Sequence, residues 1–332
     1  MSEKIAVVTG GAGFIGSHAV DLLLKKKFIV RVIDDFSGGH EKNLIQHKGN
    51  PQLEIHRKDI RLLSPKDSIF MGTNYVFHFA GLGDIVPSVE KPIDYLDVNV
   101  QGTAKVLECS RNAGVKKFVY AASSSCYGIA TTPTTEEHEI QPQYPYALSK
   151  FQAEQLVLHW AKVYGLPAIS LRIFNAYGPR VRTTGAYGAV FGVFLKQKLS
   201  GNPMTVVGDG SQKRDFVFVT DVAEAFYKAA ISKFTQKVYN IGGGSPKTIN
   251  QLVNLIGGDV SYIPFRPGEP SVTWADTTKI QNDLKWHPKI SFEVGVSKML
   301  EKIMDWKDAP LWDPNSIETA TKPWFKYLAT AN

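Results

Sequence analysis

Cysteine, long apolar runs and clustered charge are all scarce in this 332-residue chain. Its two cysteines, Cys109 and Cys126, are too few for a disulfide framework or a thiolate metal cluster, which suits a reducing cytoplasm. No apolar run approaches the ~20 residues that cross a bilayer. The opening "MSEK" leads directly into a strand-like segment, so a signal peptide is not expected. We therefore expect a cytoplasmic protein that neither enters a membrane nor binds a metal.

The positive net charge is spread along the chain. A formal charge of +7 and a pI near 9.1 would suit an anionic partner. The lysine run in Leu22–Phe28 is nevertheless typical of a helix C-terminus, where cations interact favourably with the helix dipole. We therefore expect a small phosphorylated ligand as partner and no nucleic acid.

Short β-branched apolar runs alternate with helical patterns through the first half. The apolar runs are "KIAVVTG", "FIVRVIDD", "LEIHRKD", "YVFHFAG", "KKFVYAA" and "PAISLRIF". Two of the later intervening segments, "PIDYLDVNVQGTAKVLECSRNAG" and "YPYALSKFQAEQLVLHWAKVYG", have helical periodicity and end in glycine. Apolar strands separated by helices are typical of a parallel sheet covered on both faces. The pattern predicts an α/β, Rossmann-type, doubly wound domain.

The second half follows a looser pattern. After Asn175 the chain is rich in glycine, proline and turns, but Phe216–Ala230 resumes the strand–helix style. We predict a dinucleotide-binding domain over residues 1–173 plus about 215–242. A smaller mixed α/β lobe would cover about 174–214 plus 243–332. Ligands on such sheets bind beyond the carboxyl ends of the strands.

A glycine-rich segment marks a cofactor site. "VTGGAGFIGS" follows a predicted strand and opens a predicted helix, where glycine permits close backbone approach to a pyrophosphate. Asp34 ends the next strand, where a carboxylate can accept hydrogen bonds from ribose hydroxyls. A carboxylate there also repels a 2′-phosphate, so NAD is favoured over NADP.

A tyrosine and a lysine at helical spacing mark the reactive end. Tyr146 and Lys150 are four residues apart at the start of a predicted helix, hence on one face. A nearby ammonium and an oxidised nicotinamide would both favour the phenolate of the tyrosine. Together with the serine-rich strand end "AASSSCYG", the pair predicts hydride transfer between an alcohol and NAD.

With these motifs in place, the chain resembles a known family. "TGGAGFIG", "SSSCYG", "YALSK" and "RIFNAYGPR" are similar to motifs of the extended short-chain dehydrogenase/reductases that act on nucleotide sugars, above all the UDP-hexose 4-epimerases. The resemblance covers nearly the whole chain. It implies Ser123, Tyr146 and Lys150 as the catalytic residues.

The resemblance also assigns binding residues. The cofactor positions are Gly10, Gly13, Phe14, Ile15, Gly16, Asp34, Asp35, Asp59, Ile60, Phe79, Ala80, Gly81, Asn99, Tyr146 and Lys150. The substrate positions are Gly83, Ser123, Ser124, Ser125, Tyr146, Asn175, Arg182, Val190, Val207, Arg214, Arg266, Glu269 and Thr273. Within the second set, Arg214 and Arg266 match arginines on the diphosphate, and Glu269 matches an acceptor for the nucleoside ribose.

The absence of an acid after the catalytic serine bears on the reaction. Dehydratases and decarboxylases that the chain resembles place Asp or Glu within two residues of that hydroxyl, whereas Ser124 and Ser125 stand here. Elimination then lacks a group to protonate its leaving group. The prediction is C4 epimerisation by oxidation, rotation of the 4-keto sugar and return of hydride to the opposite face.

The sugar is less narrowly defined. Thr273 and Gly83 are small where relatives carry tyrosine or lysine, so UDP-GlcNAc/GalNAc should be accepted beside UDP-Glc/Gal. Arg182 resembles an arginine that reads the carboxylate of UDP-glucuronate, which makes a uronate 4-epimerase the second reading. Val207 stands where relatives stack an aromatic residue on uracil. CDP- and GDP-sugars therefore stay open as substrates.

A reading of a different class is an NAD-binding scaffold or RNA-binding protein without catalysis. The positive charge supports it, while the complete set Ser123, Tyr146 and Lys150 speaks against it. The predicted helices around Asn99–Arg111 and Gln152–Lys162 resemble those that form a four-helix dimer interface in the family. We therefore expect a homodimer.

Overall fold

A computed structural model describes residues 4–182 and 190–328. Seven parallel strands form its central sheet, in the spatial order β11-β6-β5-β4-β1-β2-β3. These strands are β1 (Ile5–Thr9), β2 (Ile29–Asp34), β3 (Leu53–Arg57), β4 (Tyr75–His78), β5 (Lys117–Ser123), β6 (Ala168–Ile173) and β11 (Lys237–Ile241). The order reverses beside β1, so the carboxyl ends of β1 and β4 flank a crevice that suits a ligand. The predicted doubly wound Rossmann-type sheet is confirmed.

Helices cover both faces of the sheet. The helices are α1 (Phe14–Lys25), α2 (Ile85–Glu90), α3 (Pro92–Leu96), α4 (Thr103–Ala113), α5 (Pro145–Tyr164), α6 (Val190–Leu199), α7 (Val219–Ile231), α8 (Ile249–Ile256), α9 (Thr278–Leu284), α10 (Phe292–Glu301) and α11 (Pro314–Leu328). One apolar core joins the sheet to α1 and α7, and a second joins its other face to α4 and α5. Because both faces are covered, β6 is buried along its whole length. Within the described residues, none of these helices is long and apolar enough to cross a membrane.

The two predicted long helices form with one irregularity. Helix α5 runs unbroken to Gly165, and α4 ends at Gly114; both glycines adopt the left-handed conformation of a helix stop. The first predicted helix is divided, because α3 and α4 are joined by a wider π-helical segment, Asp97–Gly102. Such segments often occur at functional sites, and this one contains Asn99.

The second half of the chain builds small sheets beside the large one. Strands β7 (Asn175–Tyr177) and β10 (Phe216–Phe218) pair, as do β8 (Met204–Val207) with β13 (Val260–Ile263) and β9 (Lys213–Arg214) with β12 (Lys247–Thr248). Their apolar side chains share a core with α6, α8 and α10. Of the segment Phe216–Ala230, the strand therefore lies outside the central sheet, while α7 packs on that sheet. The division into two domains stays a prediction.

A buried ion pair fixes α5 against the sheet. Arg172 on β6 donates to both carboxylate oxygens of Glu154 on α5, its Nη2 lying 2.6 Å from Oε1. Ser170 donates a further bond to Glu154. The same guanidinium donates to the Tyr127 hydroxyl at 2.8 Å, and Tyr127 donates to Asn240 on β11. One cation thus links α5, the sheet and the turn that follows β5.

Removing one partner of this pair should be costly. Arg172→Met leaves Glu154 buried without its cation, and we expect the free energy of unfolding to fall by about 3–5 kcal/mol. Arg57→Met, which breaks the exposed pair with Glu41, should cost about 1 kcal/mol or less. Urea denaturation measures both variants. An equal loss in the two would contradict the anchoring role.

Candidate active site

The glycine loop is shaped for close approach by a ligand. Gly10 has φ +67°, and a Cβ there would lie 2.6 Å from the backbone nitrogen of Ala80. A Cβ on Gly16 would lie 2.1 Å from the Gly10 carbonyl oxygen. Helix α1 begins at Phe14, directly after Gly13. No side chain caps its N-terminus, and its first turn, which includes Phe14 and Ile15, contains no acidic residue. Its backbone N–H groups therefore suit a pyrophosphate, as NAD requires.

Asp34 lies where the ribose prediction places it. Its Oδ2 accepts from the Ala12 backbone at 2.9 Å and its Oδ1 from the Phe36 backbone at 2.8 Å. These bonds hold the carboxylate at the end of β2, next to the glycine loop. Burial raises the pKa of Asp34 despite the two amide donors. Asp35 faces away into its own turn, where it accepts from Ser37.

The cofactor positions that the resemblance assigns after β3 and after β4 lie along the same edge of the sheet. The Asp59 carboxylate accepts hydrogen bonds from Nε and Nη2 of Arg61, and these bonds lower the pKa of Asp59. Ile60 is buried. Phe79 packs on Phe226, with ring centroids 4.4 Å apart.

Asn99 ties the end of β4 to the reactive helix. Its amide accepts from the Leu82 backbone at 2.7 Å and donates to the Ser149 hydroxyl at 2.9 Å. A Cβ on Gly81 would lie 2.8 Å from the Asn99 amide oxygen and 3.9 Å from Lys150 Nζ. Gly81 therefore leaves room in front of the lysine, where the resemblance places the cofactor ribose.

The predicted catalytic hydroxyls come together. Ser123 is the last residue of β5, and its hydroxyl lies beside the phenol of Tyr146 on the first turn of α5, near enough to act on the pKa of that phenol. Burial raises the pKa of Tyr146, although the Ser123 hydroxyl opposes the shift. The charge of Asp84 and the thiol of Cys126 raise it further, and the expected lowering by the Lys150 ammonium does not contribute. The chain's own groups therefore leave this phenol protonated at neutral pH, and the positive nicotinamide of bound NAD is the remaining predicted source of a lower pKa.

Lys150 is buried with little compensation. Its Nζ lies over the Tyr120 ring, 4.5 Å from the centroid. Burial lowers its pKa to about 7, and the charge of Glu154, one helical turn further on, acts in the opposite direction. The lysine is therefore poised between its charged and neutral forms near neutral pH.

The serine turn, Ser124–Tyr127, follows β5 directly. It contributes to a second hydroxyl pair that the sequence did not predict. The hydroxyl oxygens of Ser125 and Ser123 lie 2.8 Å apart, and Ser125 also lies near enough to the phenol of Tyr144 to act on its pKa. The rings of Tyr144 and Tyr146 are stacked at 6.4 Å with 7° between their planes. Ser125 is thus a partner of both neighbouring hydroxyls as well as the place of a missing acid.

Two predicted sugar contacts are bonded to each other. The Thr273 hydroxyl donates to the Asn175 amide oxygen at 2.8 Å. It also accepts from the Asp215 backbone at 3.3 Å. The sequence placed these residues at one pocket but gave no sign of this bond. A Cβ on Gly83 would meet nothing within 4 Å, so the space around that predicted position is open.

The predicted diphosphate and ribose residues form one cluster. Arg214 donates to Glu269 at 2.6 Å, and Arg266 lies 3.8 Å from the other oxygen of the same carboxylate. Arg214 is also held by the Pro270 carbonyl oxygen. Two guanidinium groups thus share one carboxylate. The cluster can hold a diphosphate because arginine donates in planar pairs.

The remaining predicted positions lie around this cluster. Val190 begins α6, at the edge of the core that α6 shares with α8 and α10. Val207 ends β8 beside Ile263 of β13, and offers no ring for a base. Phe265, 66% exposed, instead lies over Gly208, so that a Cβ there would be 2.1 Å from the ring. With Tyr262 it lines an open groove of about 450 Å³.

Arg182 is paired with a residue that the sequence reading missed. Its Nη2 lies 2.7 Å from Oδ2 of Asp84, at the start of α2. The signal was available, because Asp84 directly follows Gly83, which is one of the predicted substrate positions. Residues 183–189, which follow Arg182, lie outside the described residues.

The low pKa of Lys150 gives a testable pH dependence of stability. The pKa of about 7 in the folded protein lies below the ordinary 10.5, so stability rises with pH between these values and the cost of burial is greatest below pH 7. Lys150→Met should raise the Tm of NAD-free protein by several degrees at pH 6.5, at about 1.4 kcal/mol per pKa unit. The gain should shrink towards pH 10. Calorimetry with Lys162→Met, on the exposed side of α5, is the control, and a pH-independent gain would contradict the assignment.

Comparison with known proteins agrees with this geometry. Residues 6–242 match the model of the NAD dependent epimerase/dehydratase family. A putative UDP-glucose 4-epimerase of Methanocaldococcus jannaschii is 34% identical over 303 residues, which cover 89% of this chain and 96% of the relative.

Two solved structures are similar over nearly their whole length. The UDP-N-acetylglucosamine 4-epimerase from Methanobrevibacter ruminantium M1, in complex with UDP-N-acetylmuramic acid, superposes with a TM-score of 0.87 at 32% identity and covers 92% of this chain and 99% of its own. The UDP-glucuronic acid 4-epimerase from Bacillus cereus, with UDP-glucuronic acid and NAD, gives 0.84 at 29%, covering 91% and 99%. The chain therefore belongs to the NAD dependent epimerase/dehydratase family.

Proposed function

We propose that this protein is an NAD-dependent 4-epimerase of a UDP-linked neutral hexose, of the glucose/galactose or N-acetylglucosamine/N-acetylgalactosamine type. The observation that carries the proposal is that the hydroxyls of Ser123, at the end of β5, and Tyr146, on α5, lie side by side next to a turn without a carboxylate. The uridine diphosphate is supported by the names of the three similar proteins described above, each of which includes a UDP-sugar.

The chain's own groups divide the reaction between them. Tyr146 removes the proton of the sugar's C4 hydroxyl and later returns it, and Ser123, whose hydroxyl lies beside the Tyr146 phenol, orients that hydroxyl. When bound, NAD supplies the acceptor and donor of the hydride at C4. Lys150, behind Gly81, would hold the cofactor ribose. Arg214 and Arg266 hold the diphosphate while the 4-keto sugar turns over, so the sugar stays attached to a fixed anchor.

Elimination and decarboxylation are disfavoured by the same turn. Ser124 and Ser125 stand where an acid would be needed, and the Ser125 hydroxyl is already hydrogen-bonded to Ser123. The serine turn contains no carboxyl group that could protonate a leaving hydroxyl. The oxidised sugar therefore has one outcome, which is reduction.

A panel of nucleotide sugars tests the proposal. Purified protein with its bound NAD is mixed with UDP-glucose, UDP-N-acetylglucosamine and UDP-glucuronate, and NMR identifies the products. We expect a C4 epimer, and Tyr146→Phe should lower kcat by about 10²- to 10⁴-fold with NAD retained. Tyr144→Phe, which removes the neighbouring stacked phenol, is the matched control and should retain far more activity.

Three other results would contradict this function. A 4-keto-6-deoxy sugar or carbon dioxide as product would indicate a dehydratase or decarboxylase. An epimer formed only from a CDP- or GDP-sugar would contradict the base. Bound NAD without turnover of any sugar would favour a scaffold protein.

The size of residue 273 should determine the tolerance for an acetamido group. Thr273→Tyr fills the pocket, so kcat/KM for UDP-N-acetylglucosamine should fall at least about tenfold more than for UDP-glucose. Thr273→Val keeps the size but removes the bond to Asn175, and should affect both substrates alike. Steady-state kinetics measure the two ratios. Equal loss on both sugars in Thr273→Tyr would contradict the gate.

We also propose a homodimer in a reducing cytoplasm. The support for the dimer is that α4 and α5 lie side by side, joined by the Trp160 indole, which donates to Glu108 at 2.7 Å. The support for the location is that Cys109 and Cys126 are both buried and free.

A further inference from the structure

Asp84 begins a helix but does not cap it. An aspartate at this position usually accepts from its own helix's first N–H groups, yet Asp84 makes no such bond to α2. Its backbone has φ +72°, a conformation that side chains other than glycine rarely adopt. Its Oδ2 accepts from Arg182 Nη2 at 2.7 Å instead. The carboxylate is thus directed across the pocket at some conformational cost.

The pair of Asp84 and Arg182 borders the reactive hydroxyls. The carbonyl of Gly83 accepts a bond from the Tyr95 hydroxyl, and the Tyr95 ring meets that of Tyr146 edge-on at 6.3 Å. The charge of Asp84 also acts on both phenols, raising the pKa of Tyr95 and of Tyr146. A sugar with its C4 hydroxyl at Tyr146 would therefore have neighbouring substituents within reach of this pair.

An unpaired arginine here would attract an anionic sugar. A guanidinium binds a carboxylate in a planar, two-bond arrangement, which would favour a uronate. In this chain the position is taken by the protein's own carboxylate. The carboxylate of a uronate would have to displace Asp84 from Arg182 and would then lie beside the negative charge of Asp84. Two like charges in contact near a protein surface repel each other by more than thermal energy.

We propose that Asp84 is a specificity-determining residue that neutralises Arg182 and excludes nucleotide sugars with a carboxylate at C6. This inference rests on the proposed function, because it presupposes a nucleotide sugar with its C4 at Tyr146. It narrows that function to neutral sugars. It also separates this chain from its structural neighbour named as a UDP-glucuronic acid 4-epimerase.

Equilibrium binding tests the proposal without requiring turnover. The protein carries NAD and the Tyr146→Phe change, and calorimetry gives the Kd of UDP-glucose and UDP-glucuronate. The parent should prefer UDP-glucose by about tenfold or more. Asp84→Asn should shift the ratio towards UDP-glucuronate at least about tenfold, and adding Arg182→Gln should abolish that shift. Arg182→Gln alone leaves Asp84 unpaired and should weaken UDP-glucuronate further.

The control removes a nearby charge of the same sign. Asp94, an exposed residue of α3, also acts on the Tyr95 phenol, and Asp94→Asn should leave the ratio of the two Kd values unchanged. Equal affinity of the parent for both ligands, or an equal change for both in Asp84→Asn, would overturn the inference alone. Failure of the folded, NAD-loaded parent to bind either ligand would overturn the proposed function and the inference with it.

Discussion

The arrangement of the site depends on the buried pair of Glu154 and Arg172. Glu154 lies two helical turns after Tyr146 and one after Lys150, on the same face of α5. Arg172 holds that face against β6 and binds Tyr127 of the serine turn with the same guanidinium. Ser123 and Tyr146 come from different elements, so bringing their hydroxyls side by side requires both elements to be fixed. The pair fixes both.

The same pair contributes to the electrostatics of the site. Glu154 is the nearest opposing charge to Lys150, yet it also neutralises Arg172 and cannot fully compensate a second cation. Lys150 is therefore left buried with a pKa near 7, and Tyr146 with a raised one. A site of this kind is less stable without its cofactor, because polar groups that a ligand would contact are buried unsolvated. Stability is thereby coupled to the binding of NAD.

The fold and the cofactor end could be predicted because they depend on local patterns. The glycine spacing after β1 and the acid at the end of β2 shape the backbone of short segments. Such local geometry can be predicted from the residue types in those segments. Contacts between distant segments could not be predicted in this way. The bond of Thr273 to Asn175 spans 98 residues, and so does that of Arg182 to Asp84. Both depend on how loops from two parts of the chain approach each other, which periodicity does not encode.

Each arginine that is predicted to bind the substrate is paired with a carboxylate of the chain itself. Arg214 and Arg266 converge on Glu269, and Arg182 binds Asp84. The two carboxylates differ in consequence. Glu269 is shared by two cations, so the cluster keeps a net positive charge and can still attract a diphosphate. Asp84 meets a single cation and leaves no net charge. The charge balance thus separates the two ends of the pocket, with an anion held at the arginine pair and a neutral group favoured next to Tyr146.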